Sequence, residues 1–293
     1  MKLKKGIFPA LMTPFKNGKI DSEALRKLIE LNIHKGVSGF YVCGSTGEAF
    51  LLTLEERKEI LEIVCDQVHE RVSIIAHIGT LSTAFTLELG RHAIMQKGVD
   101  AVSAIPPFYY QFSQHEIIEY YFEIAENLNF PVIPYNYPKL SQFTLTPPII
   151  KELRRNRNII GLKFTSNNFY DLERIKNSDP DITIYNGLDE MYLAGLSTGA
   201  DGAIGSTFNF MAEKYIGINN SFFAGDIKNA RKLQSEANAV LSALLKTQCF
   251  MAAEKYMIDL IGIPFGLPRK PFIGLNKSEK DMLSKVAETY LSC

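Results

Sequence analysis

The most constraining feature of this chain is a regular alternation of short apolar runs with longer amphipathic stretches. The runs are IFPALMT (7–13), GFYVC (39–43), VSIIAHI (72–78), AVSAI (101–105), PVIPY (131–135), IIGLKF (159–164), ITIYN (182–186) and GAIG (202–205). Between them lie segments such as SEALRKLIELNIHKG, TLEERKEILEIVCDQVHE and STAFTLELGRHAIMQKG. Their apolar residues recur at three- and four-residue steps, the mark of a helix with one buried face. Strands that are apolar along their whole length belong to a parallel sheet covered by helices. Such strand–helix units, repeated as often as here, close into a (β/α)8 TIM barrel, an α/β fold that uses about 250 residues as one unit. The chain is longer, at 293 residues, and the excess lies at its end. Beyond residue 224 the alternation stops, and the segments KNARKLQSEANAVLSALLKT, FMAAEKYMIDLIG and SEKDMLSKVAETYL carry helical periodicity alone. The chain therefore reads as a barrel over 1–224 and a helical extension over 225–293, packed on it as one structural unit.

Composition narrows the function classes. A net charge of zero and the lack of a basic run leave no electrostatic footprint for nucleic acid. The N-terminal MKLKKGIFPALMTPF has lysines before an apolar stretch, but Thr-Pro and the polar turn KNGK follow with no small-residue cleavage pattern, so it is not read as a signal peptide. No run approaches the roughly 18 apolar residues of a membrane span. Cys43, Cys65, Cys249 and Cys293 are scattered without CxxC spacing, which predicts reduced thiols in a cytoplasm. The histidines are equally dispersed and form no metal-ligand cluster.

In a parallel barrel, chemistry resides where strands end and βα loops begin. Lys163 sits near the end of IIGLKF between apolar neighbours. An ammonium is costly to bury, and a desolvated lysine of lowered pKa is a nucleophile toward ketones. Taken alone, the position equally fits a lysine snorkelling from a strand end or one half of a buried ion pair. GSTGEAF (44–50) follows the second strand. Its glycines, backbone amides and the hydroxyls of Ser45 and Thr46 can cradle a carboxylate, although βα loops commonly use these residue types. Tyr135, followed by Asn136, ends the fifth run and can move a proton if its neighbours tune it. Tyr109 and Tyr110 share with it the alternative of plain packing. Asp189 and Glu190 of NGLDE follow the seventh strand, where helix first turns favour acids anyway. GAIGSTFN (202–209) accompanies the eighth. These groups fall on a single rim, which chance placement does not generally produce.

GSTGEAF, the YN at 135–136, GLKFTS around Lys163, GLDE and DGAIGST together resemble the N-acetylneuraminate lyase branch of the dihydrodipicolinate synthase-like aldolase superfamily. The resemblance spans essentially the whole chain, including LPRKPF near its end. It implies a class I aldolase that needs no metal or cofactor, with Lys163 forming an imine to a keto acid and Tyr135 handling the proton. Ser45 and Thr46 would hold the carboxylate, and Thr165, Gly187, Asp189, Glu190 and Ser206 would line the sugar-acid tail. Tyr109 would reach a neighbouring subunit's site in a homotetramer. Leu140 stands where dihydrodipicolinate synthases carry an arginine, which favours the neuraminate branch. Tyr137, where related lyases tend to have isoleucine, is a departure that bears on the tail. Another pyruvate-dependent aldolase of the superfamily, acting on a 2-keto-3-deoxy sugar acid or making dihydrodipicolinate, remains the alternative. A non-catalytic keto-acid sensor would be expected to lack the lysine or tyrosine.

Overall fold

Each apolar run becomes a parallel strand in the computed structural model, which describes residues 3–291. The strands are β1 (Gly6–Pro9), β2 (Gly39–Val42), β3 (Ser73–His77), β4 (Val99–Ala104), β5 (Val132–Asn136), β6 (Gly161–Phe164), β7 (Thr183–Asn186) and β8 (Gly202–Gly205). Among the described residues they form one eight-stranded sheet, with β1 pairing β8 in the register Gly6–Gly202 to Pro9–Gly205. A parallel bridge between Ala10 and Tyr41 joins β1 to β2 and closes the ring. The expected (β/α)8 barrel is the fold. The glycine-rich GAIG is its eighth strand, and its lack of bulk is a packing requirement: a Cβ on Gly202 would lie 2.2 Å from the Gly6 carbonyl oxygen.

The barrel interior is filled by Phe8, Ala10, Tyr41, Ile75, Ala101, Ile133, Tyr185 and Ile204. The opposite strand faces, with residues such as Ile7, Phe40, Val102 and Leu162, pack under the helices. Burial on both faces explains why the runs are continuously apolar. Several helices start where a side chain caps them. Thr53 and Glu56 form a reciprocal capping box at Leu54–Val68, and Ser113 and Glu116 do so at Gln114–Leu128. Such a cap typically contributes about 1 kcal/mol.

The run 7–13 outlasts β1. Past Pro9 the chain leaves the ladder for the rim, where Asn209 Oδ1 accepts from the Met12 amide (3.3 Å) and the Thr13 hydroxyl donates to the Gly47 carbonyl (2.8 Å). After the eighth barrel helix (Phe208–Phe223) come three more helices, Ile227–Leu244, Phe250–Leu260 and Lys277–Tyr290. The first packs along Phe208–Phe223, and the third packs on the other two. No helix among the described residues is long and apolar enough to cross a membrane. Cys43, Cys65 and Cys249 are free thiols; Cys293 lies outside the described residues.

Candidate active site

Lys163 occupies β6 one residue from its end, opposite Tyr135 of β5 in the strand register. Its side chain is 4% exposed. Nζ lies 4.0 Å from the ring centroid of Tyr41 and 4.1 Å from that of Tyr135. The faces of these rings favour a cation, but loss of water is the larger effect. Burial pulls the Lys163 ammonium down to about 7, opposed in part by the charge of Asp189. Roughly half of such an amine is unprotonated near neutrality, a population that an exposed lysine reaches only above pH 10.

The rings around Lys163 are held in place. Tyr41 donates to Ser103 Oγ (3.1 Å), which donates onward to the Ile133 carbonyl (2.7 Å). His77 meets Tyr135 edge-on at 6.2 Å. Its Nδ1 is 2.9 Å from the Cys43 carbonyl, and its Nε2 accepts from the Ile105 amide at 3.3 Å. This pattern fixes the Nδ1–H tautomer, and burial together with Arg57 keeps the ring neutral. Burial likewise raises the Tyr135 phenol, against the pull of the nearby Thr165 and Ser45 hydroxyls. Neither hydroxyl is aligned for a hydrogen bond: Ser45 Oγ and Thr165 Oγ1 are buried without partners. Unused buried polar atoms converging on one place mark a site built for a ligand.

Those atoms border an open cavity of about 190 Å³. Ser45, Thr46, Tyr135, Lys163, Thr165, Gly187, Asp189 and Ser206 all line it, so the sequence-predicted groups largely meet. Ser45 and Thr46 lie in a short 3-10 turn after β2 whose hydrogen bonds come from the amides of Gly47, Glu48 and Ala49. The two preceding amides are therefore not consumed by the turn. Gly187 is required by close approach, because a Cβ there would fall 1.9 Å from Thr165 Oγ1. Asp189 accepts from the Thr207 amide (2.9 Å) and hydroxyl (2.7 Å) through Oδ2, and burial pushes its carboxyl up to about 6.

Two candidates stand apart. Glu190 is half-buried beside the cavity, close enough for its charge to raise the Tyr137 phenol in addition to burial. Tyr137 stacks on Tyr135 at 5.7 Å and lines the cavity, as does Leu140. Tyr109 does not line this cavity; it is 84% exposed and borders a separate hollow with Tyr110 and Phe112.

Strand-end reasoning missed one wall. Phe250, Met251 and Glu254 reach the cavity from helix Phe250–Leu260 in the extension. The available signal was Glu254–Lys255, two adjacent charges in the middle of a largely apolar helical stretch. The structure shows both to be buried, with Lys255 Nζ 2.6 Å from Glu48 Oε1.

Fold and site together define a parallel barrel that presents a buried lysine amine to an open cavity at the strand ends. The chain belongs to the dihydrodipicolinate synthetase family, whose profile matches residues 3–290. It is 42% identical to the N-acetylneuraminate lyase of Rhizobium meliloti (strain 1021), over 100% of this chain and 97% of that one. Among solved structures, CdNal from Clostridium difficile in complex with mannosamine superimposes with a TM-score of 0.95, at 35% identity and covering 98% of this chain and 99% of that one. A catalytic lysine mutant of Ruminococcus gnavus sialic acid aldolase gives 0.92, at 31% identity over 99% and 100% of the two chains.

Proposed function

We propose that this chain is a class I aldolase that cleaves N-acetylneuraminate to N-acetylmannosamine and pyruvate through an imine on Lys163. The single observation that carries the chemistry is the buried Lys163 amine, pulled down to about 7 and facing a cavity edged by unpartnered hydroxyls. The substrate follows from full-length similarity to lyases of that name. The open-chain substrate places its carboxylate at Ser45 and Thr46. Free Lys163 adds to the C2 ketone and water leaves, giving an iminium. Its electron demand allows the C3–C4 bond to break, and the bonding pair becomes the enamine. Tyr135, a neutral phenol in the free site, takes the C4 hydroxyl proton as its own proton passes to the substrate carboxylate. That proton then goes to C3, N-acetylmannosamine departs, and water returns to release pyruvate and the free amine.

Thr165, Gly187, Asp189, Glu190 and Ser206 are assigned to the polyol tail. Lys163 is the one cation among the described residues lining the cavity, and Leu140 lines it too. A product with a second carboxylate would find no partner there, which disfavours dihydrodipicolinate synthesis. We also propose a cytoplasmic homotetramer in which the exposed Tyr109 packs at a neighbouring subunit's site; sedimentation analysis tests the assembly. Pyruvate with borohydride should leave a reduced adduct on Lys163, mapped by peptide mass. A panel of 2-keto-3-deoxy sugar acids, run beside Lys163→Ala, should show N-acetylneuraminate as the preferred substrate and no turnover in the variant. Active protein without the adduct would refute the mechanism.

A further inference from the structure

The wall built by the C-terminal extension includes a group that neither the fold nor the proposed reaction uses. Phe250 and Glu254 stand one helical turn apart and so share a face of helix Phe250–Leu260. Both line the cavity, next to Ser206 and Asp189. Glu254 is 1% exposed. Its Oε1 has no hydrogen-bond partner, and among the described residues no cation pairs with it. Its neighbour Lys255 is different, being fully engaged by Glu48 Oε1 and the Thr13 carbonyl. A carboxyl stripped of water is expensive to keep, and an apolar residue would pack against Phe250 and Met251 more cheaply. The cost makes sense when a ligand satisfies the group.

We infer that Glu254 is a specificity-determining residue. Its carboxyl hydrogen-bonds a hydroxyl of the substrate tail and, with Asp189, selects uncharged hydroxylated tails over anionic ones. The inference rests on the reading above that the substrate is a keto acid with a polyol tail. Burial, with the Asp189 charge adding to it, pushes the Glu254 carboxyl up to about 8 against the pull of Ser206. A carboxyl protonated near neutrality both donates and accepts, which suits a hydroxyl partner.

The test is a ratio: kcat/KM on N-acetylneuraminate divided by kcat/KM on 4-hydroxy-2-oxopentanoate, an aldol of pyruvate without a polyol. In E254L the ratio should fall on the order of ten- to a hundredfold, the effect of losing one buried hydrogen-bonding group. E254Q, which still donates and accepts, should keep most of it. Pyruvate trapping on Lys163 reports whether each variant is folded. If E254L fails to trap, E254A is read by the same ratio. An unaltered ratio in E254L, or an equal fall in E254Q, overturns the inference, the latter because only packing would have been lost. If the wild type prefers another tailed keto acid, the substrate reading fails and the ratio is taken on that acid, leaving Glu254 to be judged independently. A wild type that cleaves only the tail-less aldol overturns both.

Discussion

Lys255→Met tests whether the extension holds the 44–50 loop in place. Lys255 Nζ lies 2.6 Å from Glu48 Oε1, with side chains 1% and 0% exposed. The same ammonium donates to the Thr13 carbonyl at 2.8 Å, and Glu48 Oε2 accepts from the Arg269 amide at 2.7 Å. Glu48 itself sits at φ 59°, a left-handed conformation that a free non-glycine residue rarely adopts. Burial lowers the Lys255 ammonium while Glu48 opposes that shift, so the pair is held together against desolvation. Methionine fills the lysine stem but strands the Glu48 carboxylate. Removing one partner of a buried pair typically costs about 3–5 kcal/mol. In a barrel of this size that is a fall in melting temperature on the order of 10 °C. Adding Glu48→Gln removes the stranded charge, and the double variant should recover much of the loss, since no buried charge is then left without a partner. Thermal denaturation of the wild type, both single variants and the double variant at one scan rate closes the cycle. Because the Glu48 amide donates to the Ser45 carbonyl at 3.0 Å, K255M should also raise the pyruvate concentration needed for borohydride trapping. K255M within about 1 kcal/mol of wild type, or a double variant no better than K255M, would refute the reasoning.

Imine formation requires the unprotonated amine, and Lys163 titrates at about 7. Trapping rates should therefore rise roughly tenfold per pH unit below that value and level off above it. Asp189 holds the proton on Lys163, so Asp189→Asn should move this limb to lower pH; a shift to higher pH, read from the trapping rate, contradicts the assignment. Tyr135→Phe should still trap pyruvate but lose roughly 10²–10⁴ in kcat, the usual span for a positioned proton-transfer group. Unchanged kcat in that variant, measured by N-acetylmannosamine release, removes Tyr135 from the proton path.

The barrel and its rim were legible because one physical fact governs both. A strand buried on two faces must be apolar throughout, so a lysine within IIGLKF stands out, and strand order then says which side chains share its rim. Strand order places Ser45, Tyr135, Lys163 and Asp189 on one rim although Ser45 and Lys163 lie 118 positions apart in sequence, and all four line the same cavity. Glu254 was invisible to that logic. It comes from a helix outside the repeat, where periodicity marks the buried face but not what that face meets, and beside Lys255 it looks like half of a solvated charge pair. Only the packing separates the two: Lys255 turns to Glu48 beneath the loop, whereas Glu254 turns to the cavity with an oxygen unused. On the proposed reading, strand ends supply the groups for the keto acid and part of the tail's surroundings, because the barrel holds them rigid. The extension, free of the barrel's register, adds Phe250, Met251 and Glu254 to the same cavity, and changes in specificity should therefore be sought at positions 250, 251 and 254 as well as at Leu140 and Asp189.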